Sequence, residues 1–121
     1  MPKRVLIIDD DQAISIAMSI RLKAFGYEVD LASGGKAGLA KAANDLPDVI
    51  LLDIRMPEID GYEVCERLKA TPDLAGIPVI FVSANATETT RQQAMEIGGS
   101  GFISKPYEPS DIVDAIQSVT V

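Results

Sequence analysis

The sequence predicts an α/β domain: one five-stranded parallel sheet of order 2-1-3-4-5, sandwiched between helices in three layers. Three observations carry this. The short apolar runs at residues 5–8, 49–52 and 79–82 are continuous rather than alternating, which suits strands covered on both faces. Stretches of helical spacing separate them, so strand and helix alternate along the whole chain and imply parallel pairing. Residues 27–32 alternate instead (Tyr27, Val29 and Leu31 against Glu28 and Asp30), which places the second strand at an edge and favours that strand order.

Taken in order, Val5-Leu6-Ile7-Ile8 is the first strand and ends in Asp9-Asp10-Asp11. A helix over 12–25 follows, with Ile14, Met18, Leu22 and Phe25 as its apolar stripe and Ile16 and Ile20 widening it. Asp10 or Asp11 can cap its start, and Gly26 closes it. After the edge strand, Ser33-Gly34-Gly35 turns into a short Ala-rich helix over 37–43, and Asn44-Asp45-Leu46-Pro47 breaks it. The run Val49-Ile50-Leu51-Leu52 delivers Asp53, and Pro57 stops the strand from continuing. A helix over 62–70 turns Val64, Cys65 and Leu68 inward. A Pro- and Gly-bearing connection over 71–78 leads to the strand at 79–82, which ends in Ser83-Ala84-Asn85. The helix over 87–97 is polar, with Ala94, Met95 and Ile97 as its weak apolar side. Gly98-Gly99-Ser100-Gly101 breaks it and is expected to be mobile. Phe102-Ile103-Ser104 is a short strand ending at Lys105-Pro106, and the last helix, 110–119, buries Ile112, Val113, Ile116 and Val119.

Bulk properties narrow the function. The 121 residues make a single domain, 1–121, large enough for a core without staples. Eleven basic against 18 acidic residues give a net charge of −7, which argues against direct nucleic acid binding and against an anionic membrane surface. No apolar run approaches the roughly 18 residues of a membrane span, and the start does not read as a signal peptide, so the cytoplasm is the expected setting. One cysteine and no histidine remove internal disulfides, thiolate metal sites and histidine acid–base catalysis.

In a sheet of this kind, ligands sit at the C-terminal strand ends near the point where strand order reverses. Asp9, Asp10, Asp53, Ser83 and Lys105 all occupy that slot. Carboxylates gathered there repel unless one protonates or a cation enters. Oxygen-only ligation suits a hard cation, Mg²⁺ or Mn²⁺. With Lys105 as a point charge for a phosphoryl group and Ser83 as a rotatable hydroxyl, the set spells phosphoryl transfer to an aspartate.

The stretches VLIIDDD (5–11), LLDIRMP (51–57) followed by Asp60-Gly61, VIFVSA (79–84) and GFISKP (101–106) resemble the receiver domain of two-component response regulators, in order and over essentially the whole chain. The resemblance implies a flavodoxin-like (βα)5 fold and acceptance of a phosphoryl group from a sensor kinase phosphohistidine. It implies Asp53 as phosphoacceptor, Asp10 as direct Mg²⁺ ligand with Asp9 acting mainly through water, and the Arg55 backbone carbonyl completing the metal shell. Ser83 and Ala84 then bind phosphate and form the switch with Lys105, Phe102 holds the aromatic switch position, and Pro106 follows Lys105 through a cis peptide. Ser83 stands where threonine is frequent, and the side chains of Arg55 and Asn85 border the phosphoryl position. The implied partners are a sensor histidine kinase or histidine phosphotransfer protein, and an output domain or target protein reading the surface of the fourth helix, fifth strand and fifth helix. The expected state is a monomer, with dimerisation on phosphorylation left open, and no turnover enzyme. No output domain is expected in this chain, which reads as a stand-alone receiver or a piece of a longer regulator.

Bland readings stand beside each of these. Asp11 reads as a cap or solvent-exposed acid, Ser83 can cap the following helix, Lys105 can be a solvated strand-end lysine, and Phe102 can be simple core. Cys65 reads as a small buried hydrophobe. A haloacid-dehalogenase-type hydrolase would put its nucleophile on the first strand. A flavin module would meet an acidic rim where its phosphate belongs. A degenerate docking receiver would lack part of the set.

Overall fold

A computed structural model describes residues 3–120. Five strands, β1 (Arg4–Ile8), β2 (Glu28–Ala32), β3 (Val49–Asp53), β4 (Val79–Ser83) and β5 (Gly101–Ser104), alternate with five helices. These are α1 (Gln12–Ala24), α2 (Gly35–Asp45), α3 (Gly61–Ala70), α4 (Glu88–Glu96) and α5 (Pro109–Val119). All strand pairs are parallel, in the order β2-β1-β3-β4-β5. The expected order and the edge position of β2 are therefore observed.

Strand side chains alternate between two cores, as a pleated sheet requires. Leu6, Ile8, Ile50, Leu52 and Phe81 point to the layer that holds α2, α3 and α4, through Ala42, Val64, Cys65, Leu68 and Ala94. Val5, Ile7, Val49, Leu51 and Ile80 point to the other layer, against Met18 and Leu22 of α1 and Ile112 and Ile116 of α5. Each of the three central strands is buried on both faces, which is why its sequence reads as an unbroken apolar run.

Two helix faces differ from expectation. α1 buries Ser15, Met18, Ser19 and Leu22, while Ile16, Ile20 and Phe25 are 48%, 64% and 59% exposed. Its isoleucines are spread around the cylinder, and the face that wins carries two serines small enough to let the helix lie close to the sheet. On α4, Ala94 is fully buried but Met95 is 44% exposed and lies off the inward face.

The glycine-rich turn after α4 has steric reasons for its composition. Gly98 adopts φ +113°, and a Cβ on Gly99 would stand 2.7 Å from the Ala94 carbonyl oxygen and 2.9 Å from the Phe81 ring. Its amides are engaged: Gly99 N–H donates to Ala94 O at 3.0 Å and Ser100 N–H to Val79 O at 2.8 Å. Close packing and a left-handed bend account for these residues.

Candidate functional site

The register brings the strand ends together. Ile8 pairs with Leu52, so Asp9 emerges beside Asp53, and Ser83 pairs with Ser104, so Lys105 emerges one residue beyond. The Lys105 amide donates to the Ser83 carbonyl at 2.8 Å, and the Lys105–Pro106 peptide is cis, as expected. β1 and β3 flank the point where the strand order reverses, so the acidic rim lies at the switch point.

Asp9 is 4% exposed and Asp53 9%, whereas Asp10 is open to solvent. One carboxylate oxygen from each of the three lies within 4.8 Å of the others. Opposite them, Lys105 Nζ stands 3.6 Å from Asp9 Oδ2 and 3.7 Å from Asp53 Oδ1. Asp9 is held in place by the Asp11 amide, which donates to its Oδ1 at 2.9 Å. Asp11 itself caps α1, accepting from the Ile14 amide at 3.2 Å. That leaves Asp9 and Asp10 for the site.

Burial raises the Asp53 pKa to about 6, and the Asp9 and Asp10 charges push the same way. The Lys105 ammonium and a hydrogen bond from the Arg55 backbone N–H pull against that rise. Asp53 is thus a buried carboxylate that ionises just below neutrality. Three carboxylates with a single facing ammonium leave surplus negative charge, and oxygen donors this close fit a hard divalent cation. Mg²⁺ or Mn²⁺ would be held by Asp9, Asp10 and Asp53.

Ser83 is 2% exposed, and its hydroxyl accepts from the Asn85 amide at 3.0 Å. The cap of α4 is Thr87, whose hydroxyl accepts from the Thr90 amide at 3.1 Å. Ser83 is therefore free of capping, and Ala84 and Asn85 are exposed beside it. Phe102 is half-buried on the α4 side of β5.

Beside Asp10 opens a cleft of about 670 Å³, walled by Arg55, Met56, Tyr62, Ser83 and Asn85. Two residues of the neighbourhood were not singled out from sequence. Tyr62, immediately after Asp60-Gly61, lines this cleft and donates its hydroxyl to the Thr90 carbonyl at 3.4 Å. Tyr107, two residues past Lys105, is close enough that, after burial itself, the Asp9 and Asp53 charges raise its phenol pKa. The only available signal for either was adjacency to a motif.

Gly61 explains how Asp53 is kept at the mouth of the sheet. Its N–H donates to the Ile54 carbonyl at 2.8 Å, and an added Cβ would meet the Asp53 carbonyl oxygen and stand 2.8 Å from Ile54 Cα. The loop after β3 folds back this tightly because residue 61 has no side chain.

Comparison with known proteins agrees with the geometry. The family model for the response regulator receiver domain matches residues 5–117. Response regulator PleD of Caulobacter vibrioides is 40% identical over 120 residues, covering 99% of this chain and 26% of PleD. The alkaline phosphatase synthesis transcriptional regulatory protein PhoP of Bacillus subtilis is 30% identical, covering 98% of this chain and 49% of PhoP. The chain thus spans about a quarter to a half of the length of these relatives. Among solved structures, chemotaxis protein CheY4 of Vibrio cholerae superposes with a TM-score of 0.93 at 28% identity, over 98% of this chain and 99% of the other. A CheY-like receiver domain protein of Methanospirillum hungatei gives a TM-score of 0.88 at 34% identity, over 98% and 93%.

Proposed function

The chain belongs to the response regulator receiver domain family, and from that premise we propose that Asp53 accepts a phosphoryl group from the phosphohistidine of a sensor kinase or histidine phosphotransfer protein. The observation that carries this reading is the setting of Asp53: buried, ionising near pH 6, and within ion-pair reach of Lys105.

At pH 7 Asp53 is mostly ionised, so a carboxylate oxygen is available as nucleophile. That oxygen attacks phosphorus, the new O–P bond forms as the donor's P–N bond breaks, and the imidazole leaves with the electron pair and takes up a proton. Asp9, Asp10, Asp53 and the Arg55 carbonyl would hold a divalent cation, which would supply positive charge to offset that of the phosphoryl oxygens. Lys105 turns from the carboxylates to a phosphoryl oxygen. Ser83 Oγ and the Ala84 backbone N–H donate to the others, drawing the loop after β4 inward. Phe102 then changes its packing, and the face formed by α4, β5 and α5 alters its affinity for an output domain or target protein. The site functions as a phosphoacceptor with slow loss of phosphate, not as a multiple-turnover enzyme.

Phosphoramidate, whose P–N bond stands in for phosphohistidine, tests this with Mg²⁺ present. One phosphoryl group per chain followed by slow release is expected. Sustained turnover of phosphate esters without a labelled protein would contradict it.

A further inference from the structure

We propose that Arg91 is a positioning residue that latches α4 onto Phe102, and that the latch releases when the loop after β4 moves toward phosphorylated Asp53. Only the release step rests on the function proposed above.

α4 is weakly held. Of its nine residues only Ala94 is buried, so apolar burial contributes little to keeping it on the sheet. Two polar contacts grip it instead, at consecutive residues and from two different elements. From α3, the Tyr62 hydroxyl reaches the Thr90 carbonyl at 3.4 Å. From β5, the Phe102 ring lies under the Arg91 guanidinium, with Cζ 4.9 Å from the ring centroid. That separation is within cation–π range, and a guanidinium can also lie flat on the ring. Among the described residues no carboxylate forms an ion pair with Arg91.

The latch is mechanically connected to the site. Three residues, Ala84, Asn85 and Ala86, separate Ser83 from the Thr87 cap. The Arg91 amide donates to the Thr87 carbonyl at 3.0 Å, so Arg91 rides on the first turn of α4. Inward movement of Ser83 and its loop therefore pulls the turn that carries Arg91, lifting the guanidinium off a half-buried ring. Phe102 and α4 are released together.

Hydrogen exchange of the α4 amides in the unphosphorylated protein tests the latch. Arg91→Met, which keeps the stem and loses the charge, should speed exchange across α4 about two- to fivefold, the weight of an exposed cation–π contact. Arg91→Lys, which keeps the charge but not the planar stacking, should fall between wild type and Arg91→Met. Phe102→Leu should match Arg91→Met, and the double variant should exceed neither single. Wild-type exchange in Arg91→Met, or a double variant equal to the product of the singles, would overturn the latch. A second arm measures wild type after acetyl phosphate and Mg²⁺, with intact mass recorded in parallel. Exchange rising to the Arg91→Met level supports release, and unchanged exchange in protein that carries phosphate overturns it. Failure to take up phosphate would defeat the functional reading while leaving the first arm to judge the latch.

Discussion

Lys105 Nζ stands 3.7 Å from Asp53 Oδ1 and 3.6 Å from Asp9 Oδ2, so one ammonium just past β5 serves two buried acids, one ending β3 and one just past β1. Removing it leaves both carboxylates without their facing cation. Lys105→Met is expected to lower stability by about 1–3 kcal/mol at pH 7, the cost of leaving a partly buried charge unpaired. Adding Asp53→Asn should return part of that loss. Urea titrations of the two single variants and the double variant measure the coupling.

The raised pKa of Asp53 has a definite sign in stability. The native state holds this proton up to about pH 6, whereas an unfolded aspartate releases it near pH 3.8. Between those values the native state binds more protons, so the contribution of Asp53 falls as pH rises from about 4 to 6 and is flat above. Asp53→Asn should therefore be more stable than wild type at pH 7, by on the order of 1–3 kcal/mol, and the gain should fade toward pH 4. The difference between the two proteins isolates this group from the other carboxylates. A constant difference across that window would contradict the assignment.

Three carboxylates that repel one another should welcome a divalent cation whether or not phosphate is present. At a Mg²⁺ concentration ten times the dissociation constant, native-state binding adds about 1.4 kcal/mol. Thermal unfolding with and without Mg²⁺ reads this directly. Asp10→Asn is expected to abolish most of the shift, since Asp10 is the exposed member of the trio and the one least committed to protein partners.

Gly61 sets how closely the loop after β3 approaches the reacting strand. Gly61→Ala drives a methyl group into the Asp53 carbonyl and the Ile54 backbone, where no flexible side chain can yield. A loss of about 2 kcal/mol or more is expected, as for overpacking against fixed atoms, with a slower phosphorylation rate. Wild-type stability in this variant would show that the loop can relax.

Much of this was legible because the fold writes itself into the sequence twice. Residues 5–8, 49–52 and 79–82 are apolar on both faces, so they announce central parallel strands, and Asp9, Asp53, Ser83 and Lys105 stand where those strands and β5 stop. Other features depended on choices that only three dimensions make. α1 carries apolar residues around much of its circumference, and the face with Ser15 and Ser19 turned inward because small side chains suit close contact with the sheet. Thr87, not Ser83, caps α4, a distinction that needs the backbone path through residues 84–86. Leu46 and Glu58 adopt positive φ, which nothing in their side chains signals. The contact of Tyr62 with Thr90 joins α3 to α4 across 28 residues, that of Arg91 with Phe102 joins α4 to the next strand, and neither follows a periodicity.

The central claim is that Asp53 is the residue phosphorylated. Incubation with acetyl phosphate and Mg²⁺, followed by intact mass measurement and mapping of the acyl phosphate after borohydride reduction, tests it most directly. One phosphoryl group per chain is expected, located at residue 53 and absent from Asp53→Ala. Undiminished labelling of Asp53→Ala, or label mapped in the wild-type protein to Asp9 or Asp10, would contradict the assignment.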